Sequence, residues 1–252
     1  MRITVAAVGV AIALALWIDV VGYVQSVLWL RNRLGTPKAL IFSATLRWHF
    51  LPPWPQASAI MPSALLDTSD IYAFGSLSLT RGFLFVPGAL VHPHAYALIL
   101  NDISAATGVL CVCVKPRFRH PARWASTDEH ALAVMQRFPN VQAWTVGGHS
   151  MGAGGFGAAL LASRLRRIHT ASVDGLIMWA GAITNSTGVD LSDDATLRSL
   201  VILASEDSVV PPEGKAEDGS LIRDNLRRYS PPNTKLVVIN GGNHGGFGHY
   251  VS

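Results

Sequence analysis

Residues Gln142 to Ala162 (QAWTVGGHSMGAGGFGAALLA) constrain the fold more than any other stretch of the chain. A short apolar strand runs into a glycine-bounded turn, and the turn runs into a helix of small residues. Within it, Gly148-His149-Ser150-Met151-Gly152 is a G-x-S-x-G pentapeptide, a pattern that gains meaning only in such a strand–turn–helix setting. The turn lifts the serine hydroxyl above the end of a sheet, and the flanking glycines let neighbouring backbone approach without a Cβ clash. The pentapeptide alone is a weak signal. With glycine at 23 of 252 positions, roughly one shuffled chain in six would carry it. Its weight depends on what the other strand ends supply.

From about Asp70 onward, short apolar runs alternate with stretches of helical spacing. Ile71–Phe74, Gly82–Val86, Val109–Val114, Trp144–Val146, Leu176–Trp179, Leu200–Ala204 and Leu236–Ile239 read as strands. Pro93–Thr107 carries Tyr96, Leu98, Ile99 and Ile103 at helical spacing. Ser126–Phe138 opens on an N-cap serine with Glu129 as its capping-box partner. Met151–Arg167 is the helix leaving the serine turn, and Leu221–Tyr229 is a later crossover. Alternation of this kind predicts an α/β fold: a mostly parallel sheet with helices on both faces, and ligands bound beyond the carboxyl ends of the strands.

Ahead of that domain the composition changes. Half of all residues are hydrophobic, only 14% are charged, and the mean hydropathy is +0.32. Much of this comes from Ile3–Leu30, interrupted only by Asp19. The run is long enough for a membrane-spanning helix, with Trp17, Tyr23 and Trp29 as interfacial residues. A cleaved signal is the rival, but Arg2 alone marks an n-region and no Ala-x-Ala site follows. The expected organisation is an anchor (or signal) over residues 1–32, a proline-punctuated lead-in over 33–69, and the α/β domain over 70–252. Arg31, Arg33, Lys38 and Arg47 after the span favour a cytoplasmic main domain, while Arg2 pulls the other way.

A serine hydroxyl becomes a nucleophile only beside a base, and that base needs a group to fix its tautomer. The strand Leu200–Ala204 is followed by Ser205-Glu206-Asp207, and the last strand by Asn240-Gly241-Gly242-Asn243-His244. Asp207 and His244 therefore fall where strand-end loops would bring them over Ser150. Glu206 and His249 are the nearest rivals. Asp207 is preferred because Ser-Val-Val-Pro-Pro follows it as a rigid turn, and His244 because glycines flank its loop. An oxyanion would be held by backbone N–H groups, one from Met151 at the helix start and one from Ala89 in Pro87-Gly88-Ala89-Leu90. Only Ala182–Arg198 separates two core strands where lids are commonly inserted, so an open site is expected.

Other chemistries are poorly served. The net charge of +4 is spread without aromatic-interleaved basic runs, which argues against nucleic acid. Cys111 and Cys113 lie two apart in a strand and read as buried thiols on one face. His92 and His94 flank Pro93 without carboxylate partners, so no metal is expected. Gly152-Ala153-Gly154-Gly155-Phe156-Gly157 matches G-x-G-x-x-G but starts six residues past the strand, with no acid closing the next strand, so no nucleotide cofactor is expected either. Arg164, Arg166 and Arg167 complement a helix C-terminus and face water. Trp179 reads as core.

With these residues in view, the chain resembles the α/β-hydrolase superfamily. More narrowly, it is similar to a small subfamily of dienelactone-hydrolase-like serine hydrolases with a P-G-G-x-V-x-P-x-A-Y loop, a G-G-H-S-x-G turn and a G-G-N-H loop. Here these read Pro87-Gly88-Ala89-Leu90-Val91-His92-Pro93-His94-Ala95-Tyr96, Gly147–Gly152 and Gly241–His244. The resemblance implies hydrolysis of an ester, thioester or lactone through an acyl-enzyme on a small acyl substrate, without a cofactor. Two departures stand out. Ala89 replaces the second glycine of the oxyanion loop, and the sequence stops eight residues after His244, where such folds usually add a helix. They motivate an alternative expectation, a catalytically silent, membrane-tethered binding module on the same scaffold.

Overall fold

A computed structural model describes residues 62–168, 172–216 and 219–249. The chain divides into two units, Met1–Leu51 and Pro52–Ser252, and the described residues all belong to the second. The Ile3–Leu30 run and the expected N-terminal helix lie outside them. Among the described residues no helix is long and apolar enough to cross a membrane.

Eight strands form one sheet: β1 (Leu66–Asp67), β2 (Ile71–Phe74), β3 (Arg81–Val86), β4 (Leu110–Val114), β5 (Ala143–His149), β6 (Val173–Trp179), β7 (Arg198–Ala204) and β8 (Lys235–Ile239). Their order is β1-β2-β4-β3-β5-β6-β7-β8. β1 and β2 are antiparallel to their neighbours; the six strands from β4 across to β8 run parallel. The strand alternation builds two cores. Leu84 and Val86 of β3 and Leu110, Val112 and Val114 of β4 face one; Phe83, Phe85, Cys111 and Cys113 face the other. Both cysteines are free and buried, and burial pushes the Cys111 thiol up to about 12.

Helix α1 (Ala97–Thr107) packs on the face with Phe83 and Phe85, together with Tyr96 and Phe247. The short α2 (Pro121–Trp124) precedes three helices that serve the opposite face: α3 (Asp128–Met135), α4 (Ala158–Leu165) and α5 (Ile222–Tyr229). Helices thus cover both faces, as the sequence predicts.

Several boundaries differ from the expectation. Pro93–Tyr96 is a 3₁₀ turn before α1, and the buried face of α1 is Ala97, Leu100 and Ser104; Ile99 and Ile103 are only partly buried. Thr127, not Ser126, caps α3, its hydroxyl accepting the Glu129 N–H; the Ser126 hydroxyl donates to the Arg123 carbonyl of the preceding helix instead. The helix after the serine turn does not begin at Met151. Ser150–Gly152 forms a 3₁₀ turn and α4 starts only at Ala158. The intervening glycines lie flat on the loop after β6: a Cβ on Gly154 would stand 2.2 Å from the Ala182 carbonyl oxygen. Arg166 does not simply face water. Its guanidinium pairs with both Asp194 carboxylate oxygens and donates to the Val173 carbonyl at 2.5 Å, tying α4 to the edge of β6.

Candidate active site

The predicted site residues lie in loops at the carboxyl ends of β3, β5, β7 and β8. Ser150 follows β5 directly and adopts φ 55°, a left-handed backbone that a non-glycine residue holds only under constraint. The constraint is close packing of backbone. A Cβ on Gly148 would meet the Gly152 carbonyl oxygen at 2.2 Å and that of Val86 at 2.5 Å; one on Gly152 would meet the Pro87 oxygen at 2.1 Å. Both glycines of the pentapeptide are therefore required by the turn, and together they press it against the β3 loop that carries Ala89.

The β7 and β8 loops are laced to each other. The Ser205 N–H donates to the Ile239 carbonyl at 3.0 Å, the Glu206 N–H to the Gly242 carbonyl at 2.8 Å, and the Gly241 N–H to the Ser205 hydroxyl at 2.8 Å. This lacing brings Asp207 and His244 together: the His244 Nδ1 and Asp207 Oδ2 are 2.8 Å apart. The Asp207 side chain is fully buried, and its Oδ1 accepts the N–H groups of Val209 (2.7 Å) and Val210 (2.8 Å). The rigid turn expected after Asp207 thus holds its carboxylate. Burial works to raise the Asp207 pKa, but the hydrogen bond and charge of His244 and the two backbone donors outweigh it, and the pKa is lowered. An ionised carboxylate can only accept, so His244 donates from Nδ1 and, in the neutral ring, Nε2 is the nitrogen that can take a proton. Glu206 and His249 are both exposed, and neither takes the other's place in this pair.

His149, the last residue of β5, is 1% exposed and packs against the loop after β8. Its ring centroid is 4.7 Å from that of His244 and 5.5 Å from that of Phe247, which stacks over it. His244 is thereby seated beside the residue that immediately precedes Ser150. Burial, and then the charge of His244, lower the His149 pKa to about 3, so the ring is neutral.

In the β3 loop, Ala89 is partly exposed, and it is Leu90 rather than Ala89 that takes a left-handed φ (62°). Met151 is likewise partly exposed, inside the 3₁₀ turn. His92 Nδ1 accepts the His94 N–H at 3.2 Å, and His94 Nε2 meets the hydroxyl of Tyr72 on β2. Trp179 is core, its ring 4.8 Å from that of Phe85.

The family model described as the alpha/beta hydrolase family matches residues 82–252. The chain belongs to that family. Among solved structures, this hydrolase is similar to Est1E from Butyrivibrio proteoclasticus with ferulic acid bound. The two are 14% identical, 73% of this chain and 91% of that one are covered, and the TM-score is 0.51. It is also similar to MGS-MChE2, an alpha/beta hydrolase from the metagenome of sediments of the Mar Chica lagoon, Morocco, at 14% identity, covering 73% and 90% with a TM-score of 0.51. At such identities the likeness is one of fold. No curated protein matches.

The sequence does not show that the Tyr96 hydroxyl meets the His149 ring, 2.8 Å away, beside His244. In the sequence Tyr96 is one of four apolar positions on a helix and the end of a loop motif, and His149 is the variable residue of the pentapeptide and the histidine of the G-G-H-S-x-G turn. The available signal was that a histidine closes an otherwise apolar strand, where a polar ring must find partners.

Proposed function

We propose that this hydrolase is a serine hydrolase that cleaves an ester, thioester or lactone of a small acyl substrate, of the dienelactone-hydrolase-like kind. The observation that carries the reading is the His244–Asp207 pair, with its free Nε2, seated beside the Ser150 turn. Ser150 Oγ attacks the acyl carbonyl carbon while its proton passes to His244 Nε2. Asp207 holds the imidazole in that tautomer and offsets the positive charge it acquires. The N–H groups of Met151 and Ala89 receive the developing oxyanion. His244 then protonates the departing alcohol or thiol, and water, deprotonated by the same nitrogen, releases the acid from Ser150. The N-terminal apolar run tethers the enzyme to a membrane as a single-pass anchor.

Labelling with a fluorophosphonate probe tests the chemistry. The intact protein takes the label and Ser150→Ala does not; His244→Ala abolishes labelling while His249→Ala retains it. An unlabelled wild type would instead favour the silent, membrane-tethered binding module. The anchor is tested separately: full-length protein stays with the membrane in a carbonate wash, and its release overturns that part.

A further inference from the structure

We propose that Tyr96 and His149 are positioning residues that join the oxyanion loop to His244 through one directed line of hydrogen bonds; this deepens the serine-hydrolase reading above and rests on it. The line has three links. The Gly88 N–H donates to the Tyr96 hydroxyl oxygen at 3.1 Å, the Tyr96 hydroxyl meets His149 Nδ1 at 2.8 Å, and His149 Nε2 meets the backbone carbonyl of His244 at 3.0 Å.

Every direction in it is fixed by what each atom can do. The His244 carbonyl only accepts, so His149 Nε2 carries the proton. In a neutral imidazole Nδ1 is then an acceptor, so the Tyr96 hydroxyl must donate to it. The Tyr96 oxygen is left to accept from Gly88. Tyr96 is fully buried and His149 is 1% exposed, so water does not compete for these atoms. With burial holding His149 neutral, the alternative doubly protonated ring, which would reverse the central link, is disfavoured.

An ordinary buried histidine satisfied by its own neighbourhood would look different. This one bridges loops that follow three different strands: Gly88 after β3, His149 itself at the end of β5, and His244 after β8. It also occupies the position before Ser150, so the ring that orients the His244 backbone is fixed to the nucleophile's own turn. Gly88 is part of the arrangement, because a Cβ there would come 2.9 Å from His149 Nδ1 and 3.1 Å from the Tyr96 oxygen. The line therefore sets two distances at once, from Ser150 to its base and from Ser150 to the residue beside the Ala89 donor. Neither Tyr96 nor His149 needs to touch substrate.

The test uses the full-length protein, with p-nitrophenyl butyrate turnover, fluorophosphonate labelling and a thermal melt for each variant. Tyr96→Phe and His149→Phe each lower kcat by about 10- to 100-fold and leave KM within about twofold, the signature of misplaced reacting groups rather than lost binding. Because the links act as a unit, the double variant falls no more than about twofold below His149→Phe. His149→Gln, whose amide N–H can reach the same carbonyl, recovers part of the activity. Should His149→Phe fail to fold, Tyr96→Phe and His149→Gln carry the comparison. Folded variants with unchanged kcat, or losses that multiply in the double variant, overturn the proposal. A second arm is independent of turnover: long-range ¹H–¹⁵N spectra show His149 as the Nε2–H tautomer in both wild type and Tyr96→Phe, and the resonance of its unprotonated Nδ1 moves downfield in Tyr96→Phe as that nitrogen loses its donor. An inactive, unlabelled wild type sinks the serine-hydrolase reading, whereas a His149 Nδ1 resonance unaltered by Tyr96→Phe sinks the linkage.

Discussion

β5, which delivers Ser150, lies between β3 and β6, with Val146 fully buried and Trp144 4% exposed. β8, which delivers His244, is the outermost strand, and all five of its residues are exposed, Val237 and Ile239 to 46%. Ser150, the proposed nucleophile, is therefore located by close packing. Its turn is pressed between the β3 loop and the glycine run that follows, and Ser150 has no other place to go. The histidine is located differently. Its strand gives little, and its position comes from polar links outside that strand: Asp207 on one side, the His149 ring on the other, and the lacing of the β7 and β8 loops beneath. The two halves of the proposed triad should thus fail in different ways, the serine through packing and the histidine through hydrogen bonds.

The largest expected effect breaks the polar side. Asp207→Asn keeps the shape but puts an amide donor or a weaker acceptor opposite His244 Nδ1, so the imidazole can take the tautomer that presents Nε2–H to the serine. A loss of about 10⁴-fold in kcat on p-nitrophenyl esters is expected, by analogy with serine proteases in which the same change was made. KM should move little. A loss below about tenfold, near 1.4 kcal/mol, would mean that Asp207 does not orient the base.

Acid separates the two halves more gently. His149 is neutral in the folded protein with a pKa near 3, while the unfolded chain takes up that proton near 6.5. Between those values the unfolded state binds more protons, so stability falls as pH falls, by up to about 1.4 kcal/mol per pH unit. Asp207, its pKa lowered, acts with the same sign at lower pH: its contribution is complete above the ordinary carboxylate range and is lost as pH drops through its folded value. Urea unfolding at pH 6.5 and 4.5 is expected to show His149→Phe losing about 2–3 kcal/mol less than wild type over that interval. Parallel slopes would show that His149 is not held neutral, and with that the directed line through it fails.

What could be read from the sequence divides along the same boundary. The pattern of apolar runs gives the strands from Ile71 onward and the sidedness of Cys111 and Cys113, because period-two burial leaves a local trace. The pentapeptide glycines are legible because the turn admits nothing larger, and Asp207 over Glu206 because the Val-Val-Pro-Pro turn behind it is local too. α4 starts seven residues later than the sequence predicts. Gly152–Gly157 reads as continuous helix until the loop at Ala182, which is remote in sequence, is seen to lie against it. The His149–Tyr96 line was invisible for the same reason: its ends are 53 residues apart, and only the register of β3 beside β5 brings them together. Arg166 reads as a solvated cation because its partner Asp194 lies 28 residues on, beyond the whole of β6.

The smallest expected effect is on the exposed strand. Val238, 39% exposed on β8 opposite Leu203 of β7, makes few apolar contacts that a hydroxyl could spoil. Val238→Thr keeps the β-branch that suits a strand and exchanges one methyl for a hydroxyl that water can reach. The change is expected to shift urea-unfolding stability by no more than about 0.5 kcal/mol. kcat should stay within about twofold, since His244 is held by Asp207 and His149 rather than by the faces of its own strand. A cost in the range of a buried apolar truncation, about 2–5 kcal/mol, would mean that β8 is covered in solution. The contrast between a packed Ser150 and a histidine on an open edge would then dissolve, because packing against whatever covers the strand would locate the histidine as firmly as the core locates the serine.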